Sequence, residues 1–322
     1  MIELKEIEQF LIKNSIKKRI ILPEGDSEKI IDTANYLQKN NIAKPIVIFK
    51  SETEVSSKLM ANCEIICIDK YDLNYLANEL YSLRKGKLSL EEAQELVKQP
   101  NYFATMLLKL NFADCMLCGI TYTTADVIRP ALQIIKTNAK TKIAASTMIM
   151  KKNDGTYLFS DCSLNLDPNS EELVDIAKLN IEFAKKMKMD KPELAFLSYS
   201  TNSSGAGPDV DKIKMTMKIM DSENLPFVYD GETQFDAAFL KDIRNKKYRN
   251  SKLTKEHPDI YIFPNLNAGN ISYKIAEYMG GYDAIGPFIM GLNKPVNDLS
   301  RGANLKDIIS TSLITIFQAF EI

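Results

Sequence analysis

The sequence predicts an α/β protein of two domains, and three observations carry that prediction. Short apolar runs recur between longer amphipathic stretches, several of those runs end in Gly, Ser or Asp, and 322 residues exceed one usual domain. Nine runs read as buried strands: RIILPEG, KPIVIFK, CEIICID, ADCMLCGI, TKIAASTMIM, ELAFLSYS, PFVYDG, DIYIFPN and DAIGPFIMG. Strands covered on both faces need continuous apolar runs rather than alternation, so the sheet is expected to be mostly parallel and built of βαβ units. The stretches SEKIIDTANYLQKN, SLEEAQELVKQ, SEELVDIAKLNIEFAKKMK and DVDKIKMTMKIMD supply amphipathic covering helices. Runs ending in Gly, Ser or Asp place ligand-gathering loops at the carboxyl edge of a sheet.

Composition narrows the function. Lys plus Arg (41) nearly balances Asp plus Glu (42), a formal net charge of -1, which removes the main electrostatic reason to expect nucleic acid or an anionic membrane as partner. A polyanionic ligand must then be met by local basic groups. No apolar run reaches the roughly 18 residues that span a bilayer, and the opening residues mix acids and bases, so a cytoplasmic protein is expected. Five cysteines without a secretion signal read as reduced thiols. Cys115-x-x-Cys118 has the spacing of half a metal site, but one His in the whole chain and no second such pair leave it without partners. Buried thiols, and no metal, are the expectation.

Two nucleotide fingerprints, GxxxxGK[ST] and GxGxxG after a strand, are absent. A Ser-His pair is disfavoured too, because the single imidazole, His257, sits in the polar stretch NKKYRNSKLTKEHPD. The most informative segment is GLNKPVNDLSRGANLKDIISTSLITIFQAF. Here Ser-Arg-Gly precedes an amphipathic helix whose start is signalled by Asn304 and Asp307, an approximate capping box. Free N–H groups at a helix start, the Ser300 hydroxyl, the Arg301 guanidinium and Gly302 make an anion cradle for which phosphate is the natural guest. An ordinary loop before a capped helix explains the same residues.

KPVNDLSRG with the later Asp307 closely resembles the C-terminal signature of the phosphate acetyltransferase family, whose pattern continues in family order through the chain. RIILPEGDSEKI, GITYTTADVIRPALQIIKT, LSYSTNSSG, YDGETQFDAA, IFPNLNAGNISYKIAEYMGG and AIGPFIMGLNKPVNDLSRG all match it. The resemblance implies two α/β domains around a cleft, similar to the isocitrate and isopropylmalate dehydrogenases, assembled as a homodimer. It implies a role in acetate metabolism: exchange of acetyl between coenzyme A, a substrate rather than a tightly bound cofactor, and inorganic phosphate. With the turn KKNDG and a crossing near Pro287, it places residues 1–144 plus 288–322 in the first domain and 145–287 in the second, the last helix returning to the first.

Carried over by position, Ser300, Arg301 and Asp307 fall on the family's catalytic serine, phosphate-handling arginine and catalytic aspartate. Arg129, and with a shorter flanking match Arg84, fall on arginines associated with coenzyme A. The chain also departs from the pattern. Lys29 stands in place of an arginine and loses its bidentate fork; Thr201–Gly205 lacks a lysine found in many members; Ala303 replaces a cysteine of some relatives. The implied reaction is direct attack of the coenzyme A thiolate on acetyl phosphate, with Asp307 taking the thiol proton. A reference Asp near 3.9 against a thiol near 8.5 leaves roughly 6 kcal/mol for the surroundings to supply, and a helix-capping role for Asp307 competes with the base role. A transferase for a longer acyl group such as butyryl, a nicotinamide-dependent dehydrogenase of the same fold and a silent regulatory domain are the alternatives. Acetyl transfer fits best.

Overall fold

The structure, a computed structural model, describes residues 1–139, 141–153 and 155–321. The chain falls into two compact units: Glu3–Asn138 with the chain from Leu292 onward, and Met1–Ile2 with Ala139–Gly291. The divisions lie at 138/139 and 291/292, several residues from the boundaries read at 145 and 288.

The first unit opens with α1 (Leu4–Lys13), β1 (Arg19–Leu22), α2 (Glu28–Lys39), β2 (Lys44–Phe49) and β3 (Glu64–Cys67). It continues through α3 (Leu73–Leu83), α4 (Leu90–Leu96), α5 (Pro100–Lys109), β4 (Cys115–Cys118) and α6 (Thr124–Pro130), which runs into a π-helical turn at Ala131–Ile135. The second unit holds β5 (Ala145–Lys152), β6 (Gly155–Ser160), α7 (Ser170–Lys186), β7 (Glu193–Leu197), α8 (Pro208–Glu223) and β8 (Val228–Thr233). After these come α9 (Phe235–Phe239), α10 (Lys241–Lys247), β9 (Ile260–Ile262), α11 (Leu266–Tyr278) and β10 (Asp283–Met290). The chain then re-enters the first unit with β11 (Val296–Asp298) and α12 (Leu305–Gln318).

In the first unit five parallel strands run in the order β11-β4-β1-β2-β3. The interior strand β4 is buried at all four positions, as a strand with helices on both faces must be. Winding proceeds from β1 outward through β2 and β3, then resumes on the other side with β4. The switch point of the sheet therefore lies at the carboxyl ends of β1 and β4, where open α/β sheets bind ligands. Helix α12 closes this unit against α1, α2 and β4. Its buried face carries Thr311, Ser312 and Thr315, whose hydroxyls donate back to the carbonyls of Asp307, Ile308 and Thr311 and so reach the core satisfied.

The crossings between units are stitched on the first unit's side. The Asn293 amide donates to the carbonyls of Ile135, Lys136 and Thr137, and Thr137 bridges to Leu292.

The second unit's sheet is mixed, in the order β10-β5-β6-β9-β7-β8, with β5 antiparallel to both β6 and β10 and the remaining pairs parallel. Lys152 pairs with Gly155, so the turn KKNDG joins two neighbouring strands of one sheet; its Asp154 lies outside the described residues. His257 packs here, stacked on Phe239 at 4.1 Å between ring centroids and edge-on to Tyr157. The loop Thr201–Gly205 folds over the buried Glu232, which accepts hydrogen bonds from the Ser200 hydroxyl and the Ser203 N–H.

Candidate active site

The segment KPVNDLSRG can be read residue by residue. The Lys294 ammonium, its pKa lowered by burial, donates to the carbonyls of Leu108 and Ala113, and the Pro295 carbonyl accepts from Met116 N–H. Val296, Asn297 and Asp298 are the buried strand β11, and the Asn297 amide donates to Thr315 and Gln318 on α12. Leu299, also buried, donates its N–H to the Cys118 carbonyl and prolongs the pairing with β4 by one residue. Only Ser300, Arg301 and Gly302 turn outward. The chain then bends back, with Ala303 N–H on the Ser300 carbonyl, and buried Ala303 presents its own carbonyl to the Lys29 ammonium at 2.7 Å.

Helix α12 begins immediately afterwards. Asn304 accepts from the Asp307 N–H at 3.1 Å and Asp307 Oδ2 accepts from the Asn304 N–H at 3.0 Å, a reciprocal capping box. Asp307 thus does hold the helix start. The N–H groups of the helix's first two residues have no intrahelical acceptor and, beside an exposed hydroxyl and guanidinium, can receive an anion.

Two buried carboxyls lie under this loop, and sequence reading assigned a role to neither. Glu24, 2% exposed, ends the turn after β1 and accepts from the N–H groups of Gly119, Ile120 and Thr121 and from the Thr121 hydroxyl. It clasps the loop after β4 across the switch point of the sheet. Asp298 accepts from the Thr124 hydroxyl at 2.6 Å, which ties the end of β11 to the first residue of α6. The only sequence sign of either was a carboxylate ending an apolar run. A cavity of about 220 Å³ opens beside Glu24, lined among others by Asp26, Phe49, Lys50 and Tyr122.

Arg84 caps the carboxyl end of α3 and Arg129 lies in the last turn of α6. The charges of both act on Tyr102, which is 5% exposed and donates its hydroxyl to Gln133. Burial pushes the Tyr102 phenol up, while the positive charges of Arg129 and Arg84 pull it back. Neither guanidinium forms an ion pair among the described residues, so both remain available to an anionic ligand. Cys115 and Cys118 are buried free thiols with pKa values raised by desolvation, and no group of three or more potential metal ligands occurs among the described residues.

A family profile described as "Phosphate acetyl/butaryl transferase" matches residues 5–316. The chain belongs to that family. As a phosphate acetyl/butaryl transferase family member it is an enzyme of the acyltransferase class. Over 322 residues it is 48% identical to the phosphate acetyltransferase of Mycoplasma capricolum subsp. capricolum, covering 99% of this chain and 100% of that one. Its fold matches the crystal structure of a phosphotransacetylase from Streptococcus pyogenes with a TM-score of 0.91 at 36% identity, covering 99% of each chain. A 4-hydroxythreonine-4-phosphate dehydrogenase from Klebsiella pneumoniae, 12% identical, gives a TM-score of 0.54 over 96% of this chain and 100% of that chain, a likeness of fold alone. Among the described residues no helix of this family member is long and apolar enough to cross a membrane.

Proposed function

We propose that the chain is a phosphate acetyltransferase working in the cytoplasm, interconverting acetyl-CoA plus phosphate with coenzyme A plus acetyl phosphate in a ternary complex. The observation that carries this reading is the outward turn of Ser300 and Arg301 at the open start of α12, held from below by Leu299, Ala303 and Lys29. Such a rigidly based group of donors suits a phosphoryl group that gains charge as it leaves. Arg301 and the helix start bind that group, and Ser300 donates to the charged transition state. Arg129 and Arg84, whose charges both act on Tyr102, take phosphates of coenzyme A. The thiolate attacks the acetyl carbonyl carbon, the C–O bond to phosphate breaks, and no acetyl group passes through the protein.

Asp307 receives the thiol proton on Oδ1, which has no hydrogen bond among the described residues, while Oδ2 keeps the cap. A homodimer is the assembly we assign, formed through α11, where Ile271, Ile275, Tyr278 and Met279 recur on one face and are 52–85% exposed.

The test is thioester formation from acetyl phosphate and coenzyme A in the presence of a metal chelator, with butyryl phosphate in parallel. Turnover of acetyl phosphate with the higher kcat/KM is expected. A preference for butyryl phosphate would move the assignment to the longer acyl group, and loss of activity in chelator would overturn the metal-free chemistry.

A further inference from the structure

Asp298 is the last residue of β11, two residues before Ser300, and it is 2% exposed. One of its oxygens is held by the Thr124 hydroxyl; the other, Oδ1, has no hydrogen-bond partner. That oxygen lies over Gly119, where a β-carbon would come within 2.3 Å of it, so nothing larger than glycine could stand there. Glu24 is as deeply buried and has four donors. An ionised carboxyl in the place of Asp298 has the Thr124 hydroxyl as its one well-formed donor, the Leu299 N–H nearby, and an oxygen left unmatched.

The charged and titratable groups that face Asp298 are Glu24 from the loop after β1, Cys118 from β4 and Arg301 from its own loop. Helix α6 offers the neutral Thr124, and α12 meets β11 through the neutral Thr315 and Gln318. Burial pushes the Asp298 carboxyl up to about 7 and the charge of Glu24 adds to this, while the Thr124 hydroxyl, the Leu299 N–H and, least of the three, the Arg301 guanidinium pull it down. Arg301 acts on Asp298 through its charge, with no ion pair between them among the described residues, so by linkage the ionised carboxyl and the nearby guanidinium favour each other.

We propose that Asp298 is a proton-exchanging positioning residue for the Ser300–Arg301 loop: ionised, it draws the Arg301 guanidinium into its phosphate-binding position, and protonated, it releases it. The proposal rests on Arg301 as the phosphate-handling residue. Activity then falls as pH drops through neutrality, where Asp298 gains its proton. Stability moves the other way. The folded carboxyl binds its proton more tightly than the unfolded one, so the contribution of Asp298 is fully present below about pH 4 and is lost as pH rises through about 7.

The experiment measures kcat/KM for acetyl phosphate, and the thermal unfolding midpoint, from about pH 5 to about pH 9 in four proteins: wild type, Asp298→Asn, Thr124→Val and Arg301→Ala. Titrations of the substrates themselves are common to all four and drop out of the comparison. Asp298→Asn is expected to lose the acid limb near neutrality and remain on a flat profile roughly tenfold below the wild-type alkaline plateau. Its midpoint relative to wild type should rise with pH over the same window. Thr124→Val removes a group that favours the ionised form, so its acid limb should move to higher pH; this variant carries the test if Asp298→Asn does not fold. A wild-type acid limb in Asp298→Asn, or an unmoved limb in Thr124→Val, overturns the proposal while the phosphate role of Arg301 stands. An Arg301→Ala protein with the wild-type KM for acetyl phosphate sinks that role and the proposal with it.

Discussion

At the scale of single residues, Ser300 separates two chemistries. As a hydrogen-bond donor to the transition state, Ser300→Ala should lose roughly 10²–10³-fold in kcat with little change in KM, the size of effect that follows removal of one oxyanion donor. Intact-mass measurement after incubation with acetyl phosphate alone should find no acetylated protein; stoichiometric, kinetically competent acetyl-Ser300 would instead make the serine a nucleophile. The single histidine has its own engagement within the second unit, stacked on Phe239 and bonded through Nδ1 to the Phe239 carbonyl. Arg129→Ala should raise the KM for coenzyme A far more than that for acetyl phosphate, if its guanidinium, whose charge acts on Tyr102 as that of Arg84 does, takes a phosphate of coenzyme A. Equal effects on the two substrates would place it elsewhere. The Lys29 substitution acquires a physical account here. A single ammonium aimed at one carbonyl suffices to brace Ala303, and the fork of an arginine is not required for that contact.

At the scale of elements, the stitch made by Asn293 is a sharp test of the crossings. Asn293→Ala removes the side-chain donor shared by three carbonyls, of which that of Lys136 keeps the Asn293 backbone N–H, and should cost about 1 kcal/mol, read as a lowered denaturation midpoint with unchanged m-value. The nine apolar runs all coincide with strands, most of them buried as continuous stretches, while β3 at the sheet edge is exposed or half-buried at all four positions. Strands β6 and β11 were not legible: GTYLFS is half polar, and VND is three residues long with two polar side chains whose partners lie far away in sequence. Helix α5 escaped for the opposite reason, since nine of its ten residues are buried and it presents no polar face to mark a period. The antiparallel pairing of β5 with β6 and β10 was illegible too, as strand direction leaves no mark in composition. In the candidate site, the outward Ser-Arg-Gly step could be read because a helix-start signal follows it. Asp298 and Glu24 could not, because a carboxylate at the end of an apolar run looks the same whether it is solvated or buried.

At the scale of the whole molecule, the exposed apolar face of α11 sets the expected assembly. Only Gly269 of its thirteen residues is buried, an exposure that a second copy of the chain would relieve. Sedimentation should give a dimer, and Ile275→Glu should yield monomers that remain folded; a wild-type monomer at micromolar concentration would remove the proposed contact. Another consequence follows from the return of β11 and α12 to the first unit. As a ribosome releases the chain, the second unit is complete once Gly291 has emerged, while the earlier-made sheet still lacks its edge strand and last helix. The loop bearing Ser300 then forms only when that sheet is finished. A nascent chain arrested before residue 292 should carry a protease-resistant second unit, an unfinished first unit and no capacity to transfer an acyl group, which makes chemistry the last property this protein acquires during its synthesis.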